Sequence, residues 1–411
     1  MTGPTCRHCG EPLTQTFTDL GLSPLANSYV RISDAGVVQP RYPLHARVCG
    51  QCFLVQVDDV VPPAEIFSSD YAYFSSFSES WLNHCARYVD RITEKLALGP
   101  QSLVVEIASN DGYLLQYFRA NGVRVLGVEP AANVAAEAER RGIPTRVAFF
   151  SAALARSLRD EGVVPELVCA ANVLAHVPDI NDFVEGVSVL LSGNAVFTVE
   201  FPHIQKLIEC VQFDTIYHEH YSYLSLLTVE RIFRSNGLRV FDVEVLSTHG
   251  GSLRVYACLD GATHRTASRV EAVRAGERSA ALDRPLGYEG FQHRVEAVRD
   301  GLLLYLEQAK AAGRRIAGYG AAAKGNTLLN FCGIGPDAIS YVVDRNPAKQ
   351  GTLLPGSLIP VRPVEALRES PPDDVVILPW NLREEIVAQL SDLREHDVRF
   401  VTAIPSIAFL S

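Results

Sequence analysis

The chain lacks the features of a membrane protein, a secreted protein or a general polyanion binder. Its 411 residues contain no apolar run of ~18 residues, the length needed to cross a bilayer. The first residues, MTGPTCRHCG, have no basic start and no apolar core, so we expect no secretory signal. The 37 Lys and Arg against 47 Asp and Glu leave a formal net charge of -10. This charge argues against nucleic-acid and membrane partners, although it allows a local basic pocket, and we expect a cytoplasmic protein.

Cysteine is sparse except at the beginning of the chain. Four of the nine cysteines lie in the first 52 residues, as two Cys-x-x-Cys pairs, Cys6/Cys9 and Cys49/Cys52. Two such pairs complete a tetrahedral four-thiolate site, for which zinc is the expected metal. A closed site of this kind is structural, and it would stabilise ~70 loop-rich residues that build little core of their own. Two disulfides or unrelated thiols are the alternative.

Strands and helices alternate after this region, which predicts an α/β fold with a parallel, doubly wound sheet. The first strand, Ser102–Ala108, is followed by a helix over Tyr113–Asn121 and a strand over Val123–Val128. Further strands are predicted at Leu167–Ala171, Ala195–Phe201, Leu238–Leu246 and Leu253–Leu259. Residues 263–314 are mainly helical in pattern, and a second, smaller βα series follows. We therefore expect three units, at 1–70, 71–285 and 286–411.

The loop after the first predicted strand is built from small residues. Glu106 ends the strand, and the segment Ala108-Ser109-Asn110-Asp111-Gly112-Tyr113 leads into the helix without the glycines of a dinucleotide fingerprint. The second strand ends at Glu129-Pro130, where an acid can accept hydrogen bonds from ribose hydroxyls. This pattern resembles class I methyltransferases that use S-adenosylmethionine, in which Asn172, after the fourth strand, would line the methyl donor. A dinucleotide oxidoreductase or a generic α/β loop is the alternative.

The densest polar and aromatic segment is Tyr217-His218-Glu219-His220-Tyr221. His220 is suited to act as a general base near neutral pH, with Glu219 orienting it and Tyr217 donating to a developing oxyanion. A zinc site built on His218 and His220 and a loop of surface aromatics are the alternatives. His84 carries no motif, and we expect it at the surface or as a cap.

The motifs, in their order, resemble the sugar C-methyltransferases of deoxysugar antibiotic pathways along essentially the whole chain. The set comprises the paired CxxC motifs, LGLSPLAN at 20–27, the segment Tyr71-x-Tyr73-x-Ser75, EIASNDGYLL, ANVLAHV, YHEHYSYLS, HGGSLR at 249–254 and GYGAAAKGNT at 318–327. The resemblance implies methyl transfer from S-adenosylmethionine to a carbon next to the ketone of a dTDP-4-keto-deoxyhexose, at C-3 in one branch and at C-5 in another. The sequence does not fix the oligomeric state, and a monomer is compatible with it.

Such a reaction needs a base at the carbon and a hydrogen-bond donor at the enolate oxygen. With His220 as the base, Tyr217, Tyr71 and His176 are the candidates for stabilising the enolate or positioning the sugar. The nucleotide sugar would be held by the following residues: Tyr73, Ser75, His249, Gly251, Ser252, Tyr319, Lys324, Asn326 and Asp344. The other readings are a nicotinamide-dependent oxidoreductase using the C-terminal loop, and a scaffold protein with an inactive methyltransferase core.

Overall fold

The structure is a computed structural model that describes residues 3–62 and 74–410. Tyr71 and Tyr73, two predicted site residues, lie outside the described residues. The described strands form three main sheets and one two-stranded ribbon, which pairs Val30–Arg31 with Thr352–Leu353. Within the described ranges, no helix combines the length and the apolar composition needed to span a membrane.

The N-terminal sheet is antiparallel, with the order β1-β3-β4-β10. Its strands are β1 (Gln15–Ser23), β3 (Tyr42–Val48), β4 (Val55–Val57) and β10 (Ser222–Tyr223), while β2 is Val30–Arg31. Strand β10 comes directly after the Tyr217–Tyr221 segment, and Ser222 pairs with Gln56. The predicted catalytic segment is therefore held by the sheet of the cysteine-rich unit, a long-range pairing that no local pattern in the sequence indicates.

The middle sheet has seven strands in the order β11-β12-β9-β8-β5-β6-β7. These are β5 (Leu103–Ile107), β6 (Arg124–Glu129), β7 (Thr145–Val147), β8 (Leu167–Ala171), β9 (Val196–Pro202), β11 (Leu238–Leu246) and β12 (Ser252–Leu259). The helices are α1 (Glu79–Leu96), α2 (Leu115–Ala120), α3 (Ala132–Arg140), α4 (Ala152–Asp160), α5 (Ile180–Leu190), α6 (Ile204–Glu209), α7 (Leu226–Ser235) and α8 (Ser268–Ser279). All the strands predicted for this region are present within a few residues of their expected bounds.

The expectation of an entirely parallel sheet is wrong for the last two strands of this unit. Strands β5 to β9 pair in parallel, whereas β12 pairs antiparallel with both β9 and β11. Only residues 247–251 join β11 to β12. A parallel crossover needs a dozen or more residues, so such a short connection forces an antiparallel pair.

The C-terminal sheet has the order β16-β14-β13-β17-β18-β19, and its last strand is antiparallel to β18. The strands are β13 (Ile316–Tyr319), β14 (Val342–Val343), β16 (Val361–Arg362), β17 (Asp374–Ile377), β18 (Arg399–Thr402) and β19 (Ala408–Leu410), and β15 is Thr352–Leu353. The helices are α9 (Phe291–Ala311), α10 (Ala323–Phe331), α11 (Ala366–Glu369) and α12 (Arg383–Gln389). The helical pattern predicted over residues 263–314 corresponds to two helices, α8 and α9. Residues 280–290, which form turns, separate them.

A buried charge network joins α1 to the middle sheet. Glu200 accepts hydrogen bonds from His84 at 2.9 Å and from Arg254 at 2.7 Å, and both Glu200 and Arg254 are 3% exposed. The expectation that His84 lies at the surface or caps a helix is therefore wrong. Burial alone would raise the pKa of Glu200, but the His84 hydrogen bond and the charge of Arg254 outweigh it and bring that pKa to about 2.

We expect Arg254→Leu to destabilise the protein by about 3–5 kcal/mol, because it leaves the Glu200 carboxylate buried without its cation. The matched control is Arg278→Leu, in an ion pair whose side chains are 50% and 60% exposed, where a change below about 1 kcal/mol is expected. Thermal and urea unfolding measure both. Because the folded-state pKa of Glu200 is depressed, its contribution is present above pH 4.5 and lost as pH falls towards 2. Equal stability losses in the two variants would contradict the assignment.

Candidate functional site

The loop after β5 forms a backbone cradle at the carboxyl edge of the middle sheet. Three of its residues have positive φ angles, at 54° for Ala108, 48° for Asn110 and 79° for Gly112. A Cβ on Gly112 would lie 2.9 Å from the Ile143 side chain, so glycine is required there by both conformation and space. Ser75, a predicted substrate residue, donates its amide to the Asn110 side chain at 2.9 Å and so lies against this loop.

Two carboxylates lie at the carboxyl ends of the neighbouring strands, Glu106 in β5 and Glu129 as the last residue of β6. Burial raises the pKa of Glu106 well above its usual range, and a hydrogen bond with Tyr113 opposes that rise. Burial also raises the pKa of Glu129, whose two oxygens accept the amides of Asn110 at 3.0 Å and Ala131 at 2.8 Å. An ionised carboxylate has about four acceptor positions, so Glu129 can fix the loop and still accept from hydroxyls of a ligand. Pro130, also predicted here, follows Glu129 and leads into α3.

Asn172 lies after β8 at the same edge, with a positive φ of 57°. Its amide nitrogen donates to Nε2 of His249 at 3.1 Å, while its buried Oδ1 has no hydrogen-bond partner among the described residues. Trp81 packs against His249 with ring centroids 5.4 Å apart and against Tyr113 at 6.0 Å. A loop with open backbone, two acids at strand ends and an unused buried acceptor together fit an adenosyl ligand.

His220 is the centre of the second half of the site. Its Nδ1 lies 2.8 Å from the carbonyl oxygen of Thr215, and its Nε2 lies 2.7 Å from the hydroxyl of Tyr217. Because a carbonyl only accepts, Nδ1 carries the proton and Nε2 is the basic nitrogen, which accepts from Tyr217. Burial and the neighbouring His176 lower the pKa of His220 well below its usual range. The imidazole is therefore neutral at pH 7 and able to accept a proton.

The predicted contact between Glu219 and the His220 ring is wrong, because Thr215 takes the place of the carboxylate. The Glu219 side chain accepts instead from Asn27 Nδ2 at 2.6 Å, and its backbone carbonyl accepts from Nδ1 of His176 at 2.8 Å. The rings of His176 and His220 pack edge to face with centroids 4.6 Å apart. The structure thus brings His176 and His220 together, as the predicted roles require.

Lys324 comes from α10 of the C-terminal unit but lies close enough to His220 and His249 to interact with both electrostatically. Its ammonium group donates to Asn381 at 2.7 Å and lies 4.8 Å from the ring centroid of Trp380. The indole N–H of Trp380 donates to the buried carboxylate of Asp214 at 2.8 Å. Burial raises the pKa of Asp214 to about 6, and the charge of Lys324 opposes the rise. The charge of Lys324 also lowers the pKa values of His220 and His249.

Several predicted substrate residues are engaged within the protein. The Gly251 amide donates to the Thr248 carbonyl at 2.9 Å, and the fully buried Ser252 hydroxyl donates to the same carbonyl at 3.0 Å, which argues against donor roles towards a ligand. Tyr319, at 5% exposure, points its hydroxyl at Gln389. Gly251 and Ser252 stabilise the turn, and Tyr319 packs in the C-terminal core.

The C-terminal loop is likewise closed by internal hydrogen bonds. Asp344 accepts the amides of Ala321 at 2.7 Å and Asn346 at 2.8 Å, and Asn326 donates to the carbonyl of Ala26 at 2.6 Å. An acid at this strand end would hold the ribose of a dinucleotide in a Rossmann fold. Here its two oxygens fix the loop by the same kind of amide contact that Glu129 makes after β6.

The four N-terminal cysteines meet as the sequence predicts. Their Sγ atoms all lie within 4.8 Å of one another, with Cys6 to Cys52 and Cys9 to Cys49 both at 3.5 Å. Zn–S bonds of ~2.3 Å in a tetrahedron place sulfur atoms about 3.8 Å apart, so the cluster fits zinc. All four are free thiols, which contradicts the disulfide alternative. Across the described residues this is the one group with metal-ligand geometry, so the alternative zinc site at His218 and His220 is not supported.

Sequence reasoning missed four residues of the site, three of which come from segments far from His220 in the chain. Thr215, Asn27, Trp81 and Trp380 carry no chemical motif of their own, and each acts through a partner far along the chain or through its backbone. The LGLSPLAN segment around Asn27 was a signal that could have directed attention to it.

Three family models and one C-methyltransferase relative match this chain, and together they extend over nearly all of it. Family models match a zinc binding domain at residues 6–67, a methyltransferase domain at 81–243 and a C-methyltransferase C-terminal domain at 247–405. The C-methyltransferase NovU of Streptomyces niveus is 36% identical over 99% of this chain and 96% of its own length.

Two solved structures overlap part of the chain. A protein from Pyrococcus horikoshii OT3 is 13% identical and aligns with a TM-score of 0.38 over 46% of this chain and 95% of its own. Magnesium protoporphyrin IX methyltransferase from Synechocystis PCC 6803, solved with S-adenosylmethionine, is 16% identical. It aligns with a TM-score of 0.33 over 47% of this chain and 88% of its own.

Proposed function

The chain belongs to the family of sugar C-methyltransferases that use S-adenosylmethionine, and we propose that it methylates C-3 of a dTDP-4-keto-2,6-dideoxyhexose in antibiotic deoxysugar biosynthesis. The observation that carries this proposal is the Tyr217–His220 pair, a hydroxyl and a neutral imidazole 2.7 Å apart. A base and a hydrogen-bond donor side by side match the needs of enolate formation next to a ketone.

We assign the donor site to the cradle at the carboxyl edge of the middle sheet. The donor supplies an electrophilic methyl group when it is bound there. Glu129 accepts hydrogen bonds from its ribose hydroxyls, and Asn172, with its unused Oδ1, is positioned to accept from its polar groups. Because Asn172 also bonds His249, whose ring lies close enough to His220 for the two to interact electrostatically, the donor cradle and the base belong to one site.

In the proposed reaction Nε2 of His220 removes the proton from C-3, and the electron pair passes into the enolate. Thr215 keeps the proton on Nδ1, so Nε2 is the nitrogen that can accept. The hydroxyl of Tyr217, bonded to Nε2 in this structure, donates to the C-4 oxygen as negative charge develops there. The enolate carbon then forms a bond to the methyl group as the methyl–sulfur bond breaks.

The sugar nucleotide is proposed to enter between the middle and C-terminal units. Lys324 belongs to the C-terminal unit, and its charge acts on His220 and His249 of the middle unit. A cation at this position can hold the diphosphate or the keto oxygen. The chain's net charge of -10 does not oppose this, because a local cation can bind an anion on a surface that is acidic overall.

Product analysis tests the proposal directly. The protein is incubated with a dTDP-4-keto-2,6-dideoxyhexose and S-adenosylmethionine, and the product is examined by mass spectrometry and NMR. We expect one added methyl group at C-3. A methyl group at C-5 of a dTDP-4-keto-6-deoxyhexose would select the second branch of the family. Absence of any methylated sugar, with the donor bound, would reject a keto-sugar substrate.

Deuterium exchange separates enolate formation from methyl transfer. In D2O without methyl donor, we expect wash-in of deuterium at C-3, because the base can act alone. Deuterium at C-5 alone would instead identify C-5 as the carbon that is deprotonated. The measurement does not require methyl transfer.

A further inference from the structure

The N-terminal unit reaches into the active site through residues 26–29. Nδ2 of Asn27 donates to Oε1 of Glu219 at 2.6 Å, and this side-chain bond joins residues 192 positions apart. Glu219 immediately precedes the predicted base, and its own carbonyl holds His176. Glu219 is 5% exposed, so the protein rather than bulk water supplies the partners of its carboxyl group.

This segment is anchored on the C-terminal unit at three points. The Ala26 carbonyl accepts from Asn326 at 2.6 Å, and the hydroxyl of Tyr29 donates to the Ala321 carbonyl. Next along the chain, Val30 and Arg31 form a short antiparallel ribbon with Thr352 and Leu353. Asn27 therefore sits on a segment that is fixed on both sides, which lets its side chain hold another group in place.

We propose that Asn27 is a positioning residue that orients the Glu219 carboxyl group and favours its ionised form, so that the zinc-bearing unit contributes directly to the chemistry of the site. The amide N–H of Asn27 can only donate, and a donor stabilises a carboxylate more than a carboxylic acid. The expected shift in the pH profile of kcat/KM rests on the proposed function, whereas the expected effect of Asn27 on stability does not.

The surroundings of Glu219 make this one bond decisive. Burial raises the pKa of Glu219 to about 7, and the two groups that oppose the rise are Asn27 by hydrogen bond and Lys349 by charge. The ammonium group of Lys349 donates to the Ala321 carbonyl at 2.7 Å and also faces Asp344. The other titratable groups around Glu219 are Tyr29, Tyr221 and His176. With so few opposing groups, loss of the Asn27 donor raises the pKa of Glu219 further.

The test compares the pH dependence of kcat/KM for wild type and Asn27→Leu. Glu219→Gln, which removes the ionisation, identifies the limb of the profile that belongs to Glu219. We expect Asn27→Leu to move that limb upward by about one pH unit, as a lost hydrogen bond to a carboxylate requires. Asn27→Ala removes the same donor with less bulk and is the second variant should the first fold poorly.

Thermal unfolding supplies a readout that needs no substrate. Ionised Glu219 loses its donor in Asn27→Leu, so the stability deficit of the variant should grow as pH rises through 7. This stability measurement does not depend on the keto-sugar substrate, so failure of the Asn27 proposal can be distinguished from failure of the proposed function.

Ser28→Ala, at the exposed neighbouring position, is the control and should leave both the kinetic and the stability profiles unchanged. Tyr29→Phe removes an anchor of the same segment and should change stability equally at every pH. A deficit of Asn27→Leu that is independent of pH, with no shifted limb, would overturn the proposal.

Discussion

His220→Asn is expected to lower kcat by about 10²–10⁴-fold, the range that general-base catalysis contributes. Asparagine can still donate an N–H to the Thr215 carbonyl, which His220 contacts at 2.8 Å, so the local fold has a substitute for that bond. It has no basic nitrogen to replace Nε2. Calorimetry with S-adenosylmethionine should give nearly unchanged affinity, because the donor cradle is formed by other segments.

His218→Asn is the matched control for this prediction. His218 lies in the same segment and is 2% exposed, but its Nε2 faces the carbonyl of Pro43 rather than Tyr217. We expect the control to retain kcat within a few-fold even where it loses some stability. The variant His220→Asn should also fail to exchange deuterium at C-3. Full activity in His220→Asn would remove it as the base, and loss of donor binding would show that the substitution disturbed the fold.

Cys6→Ser is expected to give a poorly soluble, zinc-free protein rather than a selectively inactive one. A structural zinc site contributes an apparent binding free energy of about 10–16 kcal/mol in zinc-finger peptides, which is comparable to the whole stability of a domain, about 5–15 kcal/mol. Cys6, Cys49 and Cys52 lie in a core cluster with residues of the middle sheet, so the effect of losing the metal should spread beyond the first unit. Zinc content, soluble yield and thermal midpoint measure the effect.

The structure explains why the zinc site and the catalytic segment should fail together. Gln56 donates its side-chain amide to Sγ of Cys6 at 3.2 Å, and its backbone pairs with Ser222, two residues after His220. Cys210→Ser, at a half-buried cysteine outside the cluster, is the control and should keep its zinc and its solubility. A soluble, folded but inactive Cys6→Ser protein would instead indicate a catalytic metal.

Local patterns were sufficient for much of the fold. The strands of the middle unit follow from runs of apolar residues such as Leu103–Ile107, and the βα rhythm around β13 and α10 follows from the loop between them. The direction of β12 was missed although the sequence contained it, because the six residues between the predicted strands Leu238–Leu246 and Leu253–Leu259 are too few for a parallel crossover. His84 was misplaced for a different reason, since a lone histidine carries no pattern that reveals a partner such as Glu200, 116 residues away.

The sequence by itself determined the four-cysteine cluster and the acids at the ends of β5 and β6, and it predicted a base in the Tyr217–Tyr221 segment. In each of these the chemistry lies in residue types at short, fixed spacings, which the backbone geometry of a turn or strand end brings together. Only the tertiary structure decided which groups act on one another: Thr215 rather than Glu219 on His220, and Asn27 on Glu219. Asn27 and Glu219 are 192 residues apart, so only the packing of the units brings them together. Thr215 and His220 are five residues apart, but spacing alone does not show which of two nearby groups the imidazole contacts, because that depends on the three-dimensional path of the turn.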